Sequence, residues 1–264
     1  MLSGFQGRSS RTRGHCIVQL YSKASAGKSR DSVARRGGEM GRDGVPSIAH
    51  LSFRGGAPVL WPPLTHDIIV IDDFWHDAPA LRRHALGGRF VYRVSESGFA
   101  FHDFLADARH TERFAELVAR VGGASLLSAH FEGRFVYETD ADEAETRRKV
   151  WVHYDRWRRV GVLYLSDPVV SRGGTGFYRH IETGLSRVED ADALGKRPLL
   201  MEDSTRLDRW ELIHQVPIRF NRMVLFSPGI FHQAICYFGR SREDARLYNI
   251  VAFDVPPPLT GKHR

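Results

Sequence analysis

The residues most informative about chemistry are His153 and Asp155, which flank Tyr154 in one short segment. In a β-strand, residues two apart point to the same face, so these two side chains could ligate one metal ion from one side. A third ligand must then come from a distant part of the chain. An exposed polar strand face explains the same triplet without a metal, and the triplet alone does not separate the two interpretations.

His232 is the preferred candidate for the third ligand. It follows the Pro228-Gly229 turn and begins an apolar run, which places it at a strand end beside a loop. Two histidines and one carboxylate on one face leave three adjacent positions open, the arrangement typical of non-haem Fe(II) sites. A hydrogen-bonded core histidine is the competing interpretation. His180 and His214 are rival ligands, but the first lies in a polar loop and the second next to a charged segment.

Arg246 opens the apolar segment Arg246–Phe253, 14 residues after His232. A buried arginine is costly unless it meets an anion, and its planar fork matches a carboxylate in bidentate geometry. Arg240 and Arg242 lie in a polar hairpin, where a solvated arginine needs no partner. We therefore prefer Arg246 as the anion-binding residue.

These residues must be positioned by two helices and a series of short strands. Asp77 with Pro79 predicts a helix that ends before Gly87, and Thr111–Val121 has helical apolar spacing. The short β-branched or aromatic segments predict strands over Asp67–Phe74, Ser125–Tyr137, Val150–Trp157, Val160–Ser166, Thr175–Arg179, Arg219–Phe226, Phe231–Phe238 and Arg246–Asp254. This order predicts a mainly β (α+β) sandwich or barrel with supporting N-terminal helices. The charged segment Asp190–Trp210 is expected to be an insertion or lid.

Composition excludes some classes of partner. The net charge is +7, but residues 1–39 carry eight basic and two acidic side chains, a net of +6, so the rest carries only +1. A nucleic-acid footprint would need a basic face on the folded part, so we expect no nucleic-acid partner. No window approaches eighteen apolar residues, so we expect no membrane span. Cys16 and Cys236 lie far apart in unlike contexts, which favours a reducing compartment and a cytoplasmic protein.

Residues 1–45 are rich in Ser, Gly and Arg without a sustained apolar period, so we expect a disordered basic leader. This composition is typical of an organelle transit peptide. Alternatively, translation starts at Met40, because the preceding residues are ones that a translated ribosome-binding site could encode. We favour the second interpretation, in which the leader is not part of the native protein. One folded domain is expected over residues 46–264.

Five segments together resemble the Fe(II)/2-oxoglutarate-dependent dioxygenase superfamily, in particular its prolyl-hydroxylase-like branch and a bacterial group of unassigned substrate. The segment Ile68–Trp75 resembles the first strand of that branch, and His153-Tyr154-Asp155 resembles its His-x-Asp motif. Val162–Asp167 and Gly173–Phe177 resemble the stretch that follows the motif. Phe220–His232 resembles the strand, turn and distal histidine.

The resemblance implies a double-stranded β-helix, also called a jelly roll or cupin-like fold. It implies Fe(II) held by His153, Asp155 and His232. It also implies 2-oxoglutarate held by Arg246 with help from Tyr164, and ascorbate as an additional reductant. Tyr164 is equally well explained as a core aromatic residue. The branch commonly has lysine where this chain has Arg246, which makes the anchor the least secure assignment.

The expected activity is hydroxylation of a small molecule or a peptide. The sequence gives neither the identity or class of this substrate nor the oligomeric state of the protein. Two alternatives use the same fold: a non-oxidative cupin-like metal-binding protein, and a binding module whose site is vestigial. Gly173-Gly174-Thr175 is not a phosphate loop, because the Lys-Ser/Thr ending and a following helix are missing. A glycine-permitted turn into a strand explains it.

Overall fold

The computed structural model describes residues 48–52, 67–122, 131–155 and 159–253, and the expected boundary at residues 45 and 46 lies outside these ranges. The helices are α1 (Ala78–Leu86), α2 (Ala108–Gly122), α3 (Asp140–Arg147), α4 (Val188–Ala193) and α5 (Arg197–Glu202). The strands are β1 (Ile48–Ser52), β2 (Ile68–Asp72), β3 (Val91–Val94), β4 (Ala100–Leu105), β5 (Phe131–Glu138), β6 (Arg159–Tyr164), β7 (Gly174–His180), β8 (Trp210–Pro217), β9 (Met223–Phe226), β10 (His232–Ala234) and β11 (Arg246–Phe253).

The strands form two sheets. The large sheet has the order β1-β2-β9-β6-β11-β5-β4-β3, and the small sheet has the order β10-β7-β8. Within these sheets β1 and β2 pair in parallel and the other neighbours are antiparallel. The small sheet is extended by His153, whose backbone bridges His232 of β10.

From β5 onward the chain crosses between the sheets in the manner of a double-stranded β-helix, except that β7 and β8 follow each other within the small sheet. The strands β9, β6, β11 and β5 supply four neighbours of the large sheet, and the segment at His153 with β10, β7 and β8 supplies four positions of the small one. Two four-stranded layers connected by crossovers are the jelly-roll architecture. The predicted fold class, mainly β (α+β) with supporting N-terminal helices, is confirmed.

The central strands β2, β9, β6 and β11 of the large sheet are largely buried on both faces, which explains why they read as nearly continuous apolar runs. On one face, Leu163, Leu225 and Leu247 pack with Leu81 of α1 and Phe114 of α2. On the other face, a second cluster lies between the sheets and includes Val162, Val224, Tyr248, Phe177 and Val216. The candidate site belongs to this inner space.

The two supporting helices begin with aspartate caps. Asp77 accepts from the backbone N–H of Ala80 at 3.0 Å, as predicted from the Asp-x-Pro sequence. Helix α2 begins at Ala108 rather than Thr111, because Asp107 accepts from the backbone N–H of His110 at 2.9 Å and so caps an earlier turn.

The structure also corrects the secondary-structure expectations. The segment Val150–Trp157 is not a regular strand; of its described residues, only His153 makes a bridge. The sequence interpretation missed α3, whose start is fixed by a reciprocal capping box between Thr139 and Asp142. It also missed β1, β3, β4 and β8. The segment Asp190–Trp210, expected as an insertion or lid, holds most of α4 and all of α5. Residues 125–130 of the predicted strand Ser125–Tyr137 lie outside the described residues.

The paired glycines before β7 form the predicted turn into a strand. Gly173 and Gly174 have φ of +73° and +145°. A Cβ on Gly174 would lie 2.0 Å from the carbonyl oxygen of Val216, so this position has no room for a side chain.

No helix in the described part of the chain is long and apolar enough to cross a membrane.

We predict that Phe114→Ala lowers the free energy of unfolding by about 3–5 kcal/mol, because it empties a fully buried aromatic position. The Phe114 ring centre lies 4.6 Å from that of Trp75 and 6.3 Å from that of Phe74. Urea denaturation measures the change. Glu116→Ala is the matched control on the same helix, with its side chain 54% exposed, and it should change stability by less than about 0.5 kcal/mol. Equal stability of the two variants would contradict the docking of α2.

Candidate metal centre

His153 and His232 are held together by their own backbones. The N–H of His153 donates to the carbonyl oxygen of His232 at 3.1 Å, and the N–H of His232 donates to that of His153 at 2.8 Å. Antiparallel residues that exchange both hydrogen bonds project their side chains to the same face. The two imidazole centres accordingly lie 4.3 Å apart, although 79 positions separate the residues in the sequence.

Each imidazole is oriented by a backbone carbonyl two residues earlier. Nδ1 of His153 lies 3.2 Å from the carbonyl oxygen of Trp151, and Nδ1 of His232 lies 2.9 Å from that of Ile230. A carbonyl oxygen only accepts, so Nδ1 carries the proton in both rings. The Nε2 atoms are therefore left as the electron-pair donors, which is the tautomer that a metal ligand needs.

Asp155 completes the cluster from the same segment as His153. Its Oδ2 lies 3.4 Å from Nε2 of His232, and its backbone carbonyl accepts from the N–H of Gly229 at 2.7 Å. One ligand atom from each of the three residues lies within 4.8 Å of the other two. The structure thus brings together the three ligands named from the sequence, and their role as ligands stays a prediction.

The charge states of the cluster suit a divalent cation. Burial, and then the nearby His232, lower the pKa of His153 to about 4, so this imidazole is uncharged at neutral pH. Burial alone would raise the pKa of Asp155, but the adjacent His232 outweighs burial and leaves it below the ordinary value. Two imidazoles and one carboxylate are the donor set that non-haem Fe(II) prefers.

A cavity of about 1160 Å³ opens onto this cluster between the two sheets. The three candidate ligands line it together with Arg246, Glu138 and Tyr248, which lie on neighbouring strands of the large sheet. Gln233, next to His232, also lines it, and its side-chain nitrogen is buried without a hydrogen-bond partner. The cavity therefore joins the candidate metal ligands to the candidate anion-binding arginine.

Arg246 is buried, with 4% of its surface exposed, and it already faces an anion. Its NH1 donates a short hydrogen bond to Oε2 of Glu138, the residue directly opposite on β5. Burial would lower the pKa of Arg246, but the adjacent Glu138 raises it, so the guanidinium is always charged. The sequence interpretation missed Glu138. The alternation that turns Val136 inward does predict that Glu138 points the same way, but which residue it would meet depends on the pairing of β5 with β11.

Tyr164 has a fully buried ring, and its hydroxyl lies 2.6 Å from Oγ1 of Thr175. Burial raises the pKa of this tyrosine. Thr175 lines the cavity, and the guanidinium of Arg246 lies 6.0 Å from the Tyr164 ring centre. Tyr164 therefore sits behind the cavity wall at the arginine end, compatible with both the core and the co-substrate interpretations.

The rival residues have other surroundings. His180 is fully buried, with Nε2 3.1 Å from Oδ2 of Asp203 and Nδ1 3.1 Å from Oγ1 of Thr183, so both ring nitrogens have partners. Among the described residues, His214 belongs to no cluster of potential metal ligands. Arg242 is an exposed side chain that donates to Glu243 at 3.0 Å. Neither Arg240 nor Arg242 lines the cavity.

A second group of potential ligands lies on the helical side of the molecule and was not predicted from the sequence. His84 of α1 meets Asp107 and His110 at the start of α2, again within 4.8 Å. Nδ1 of His110 is 2.8 Å from Oδ1 of Asp107, which also caps the helix. Its His84 and Asp107 side chains are 41% and 54% exposed, and helix capping already explains the arrangement.

The fold and the site define a class: a double-stranded β-helix with two histidines and one carboxylate facing its internal cavity. Residues 62–237 match the model of the Family of unknown function (DUF6445), and the chain belongs to that family. No curated protein matches the sequence.

Several solved structures are similar to this one. HygX from Streptomyces hygroscopicus, with nickel, 2-oxoglutarate and hygromycin B bound, is 12% identical over 71% of this chain and 82% of that chain, with a TM-score of 0.46. A Pseudomonas putida prolyl-4-hydroxylase is 15% identical over 73% and 94%, with a TM-score of 0.41. SnoN, the non-heme alpha ketoglutarate dependent epimerase from nogalamycin biosynthesis, is 13% identical over 71% and 78%, with a TM-score of 0.42. At these values the likeness transfers no activity to this chain.

We predict that His153→Ala weakens Fe(II) binding, because it removes a metal ligand. The loss should exceed the roughly 10- to 100-fold that results when a ligand only loses its hydrogen-bond partner. Anaerobic calorimetric titration with Fe(II) measures the affinity. His84→Ala is the matched control, since it removes one imidazole from the second group. Its affinity should equal that of the unaltered protein; loss of binding in His84→Ala alone would move the metal site to the helices.

Proposed function

We propose that this chain is an Fe(II)- and 2-oxoglutarate-dependent dioxygenase that hydroxylates a small molecule or a peptide. The observation that carries the proposal is one cavity lined by His153, Asp155, His232 and the buried Arg246. Metal ligands at one point and a fixed cation at another are what a chelating 2-oxo acid with a distal carboxylate requires.

The residues at the cluster fit Fe(II). Nδ1 of His153 and of His232 each face a backbone carbonyl, which leaves Nε2 of each ring as the candidate ligand atom, and the carboxylate of Asp155 adds the third donor. Bound there, iron and 2-oxoglutarate would activate O2, so that one oxygen atom converts 2-oxoglutarate to succinate and carbon dioxide and the other hydroxylates a C–H bond of the substrate.

The chain's own residues would hold, orient and shield the reactants. Arg246 would take the distal carboxylate through its guanidinium fork, and Thr175 would add a hydroxyl beside it. Val160, Val162 and Phe226 line the cavity with apolar surface, which limits the access of water to the reacting atoms.

The mouth of the cavity would receive the substrate. Arg197 and Met201 of α5 line it, so the segment expected as a lid does border the cavity. Ser95, Glu96 and Phe99, between β3 and β4, also line it. Both charges and an aromatic ring are present there, which suits a polar small molecule or a peptide.

Cys236 is buried and forms no disulfide in the described part of the chain, in keeping with a cytoplasmic location.

One observation favours a second candidate function, a metal-binding protein that uses no 2-oxoglutarate. Glu138 already neutralises Arg246, so the expected anchor has a partner within the protein. In that case iron would bind to the three ligands, and 2-oxoglutarate would not.

The distinguishing experiment is anaerobic titration with Fe(II) and then 2-oxoglutarate, followed by visible absorption. We expect a weak charge-transfer band that requires both additions. Arg246→Gln should raise the 2-oxoglutarate concentration needed by roughly 10- to 100-fold, because it removes a charged hydrogen-bond donor. Arg242→Gln, the same change in the exposed hairpin, should have no effect.

Unchanged Fe(II) affinity in Arg246→Gln would show that this variant retains its fold around the metal. Iron binding without a band in the unaltered protein would overturn the dioxygenase proposal in favour of the non-oxidative metal site. A larger effect of Arg242→Gln than of Arg246→Gln would overturn the assignment of the anchor.

A further inference from the structure

The ion pair between Arg246 and Glu138 lies in the cavity wall at the end where a co-substrate tail would bind. Both residues line the cavity, and both are buried, with 4% and 5% of their surfaces exposed. They face each other directly across β11 and β5. The anion that Arg246 needs is therefore supplied by the chain itself.

The carboxylate of Glu138 is fully bound. Oε2 accepts from the guanidinium of Arg246, and Oε1 accepts from the hydroxyl of Tyr248 at 2.9 Å. In contrast, Nε of Arg246 is buried without a hydrogen-bond partner. The guanidinium thus retains an unused donor at Nε, beside its contacts with Glu138 and with the hydroxyl of Tyr164.

A dicarboxylate cannot simply be added to this arrangement. The pair has zero net charge, and the incoming carboxylate would lie next to Glu138 in a buried environment where repulsion between like charges is strong. If Glu138 takes up one proton as the ligand arrives, Arg246 with the new carboxylate is again neutral. A protonated Glu138 also becomes a hydrogen-bond donor, so it can face a carboxylate oxygen.

We propose that Glu138 occupies the anion position of the Arg246 anchor, and that a 2-oxo dicarboxylate binds only together with one proton, which Glu138 takes from solvent. This inference rests on the proposed function, because it concerns the co-substrate of that site. Glu138 is accordingly a determinant of co-substrate specificity. A 2-oxo acid whose tail carries no negative charge binds beside the intact ion pair, and Glu138 then takes up no proton.

The groups around Glu138 are compatible with a neutral carboxyl. Burial raises the pKa of Glu138 above its ordinary value, while Arg246, Tyr248 and Tyr237 act in the opposite direction. Tyr237 and Tyr248 are themselves un-ionised, since burial and Glu138 raise the pKa of each.

The next charged groups are already compensated. Tyr164 on β6 has its ring centre 6.0 Å from the guanidinium of Arg246, and burial raises the pKa of its hydroxyl. Arg134, four residues before Glu138 on β5, is paired with Asp103 at 2.6 Å and with Glu132 at 2.9 Å. The charge that changes on binding is therefore assigned to Glu138. The affinity for 2-oxoglutarate is therefore highest when Glu138 is protonated, and it falls as the pH rises.

The test is the affinity of the Fe(II)-loaded protein for 2-oxoglutarate, measured anaerobically at about pH 6, 7 and 8, where the ligand's own carboxyl groups stay ionised. In the unaltered protein we expect affinity to fall by up to about tenfold per pH unit, the limit for one coupled proton. Glu138→Gln should remove most of this dependence and should bind more tightly at the highest pH. Glu132→Gln, on the same strand with 41% of its side chain exposed, should behave like the unaltered protein.

A second measurement needs no variant and so does not depend on the folding of Glu138→Gln. Calorimetry in two buffers of different ionisation enthalpy should report uptake of about one proton per 2-oxoglutarate at the highest pH. Binding with no proton uptake and no pH dependence would overturn the inference but leave the dioxygenase proposal intact. Failure of 2-oxoglutarate to bind at every pH, in both the unaltered protein and Glu138→Gln, would overturn the proposed function itself.

Discussion

The two-way backbone hydrogen bond between His153 and His232 is the constraint on which the candidate site depends. It joins the end of one irregular segment to the short strand β10, and it fixes both imidazoles on the same face of the small sheet. The carbonyls of Trp151 and Ile230 then set which ring nitrogen is free. Because Asp155 is two residues from His153, the same bridge brings the carboxylate to the cluster. Ligand geometry is thus a property of the backbone, not of side-chain packing alone.

The jelly-roll architecture supplies the cavity that the side chains of His153 and His232 face. The central strands of the large sheet are largely buried on both faces, so α1 and α2 can shield the outside while the inner face lines a cavity. A cavity wall of apolar side chains makes any charge inside it costly. The buried arginine of this wall, Arg246, is therefore accompanied by Glu138, which also accepts from the hydroxyl of Tyr248. This balance makes the arginine end of the cavity selective for the charge of whatever binds there.

Membership of a family of unknown function leaves the activity to be argued from the site. The cavity-lining residues of α5 and of the connection between β3 and β4 are the part of the chain in which substrate choice would reside. They belong to connecting segments and short elements, which differ among proteins that share a scaffold more readily than its strands do. The second group at His84 lies outside this cavity, where helix capping accounts for it.

The sequence by itself determined the mainly β class, the cap of α1, the glycine turn before β7, and the identities of the three residues that meet in the cluster. The β class, the cap, the turn and the pairing of His153 with Asp155 depend on short-range rules: period-two alternation, capping chemistry and the conformational freedom of glycine. His232 was chosen from its place after the Pro228-Gly229 turn. Only the tertiary structure decided that His153 stands in an isolated bridge instead of a regular strand, and that Arg246 meets Glu138. Those facts follow from which strands become neighbours, and strand pairing joins residues 79 and 108 positions apart without any local signal in the sequence.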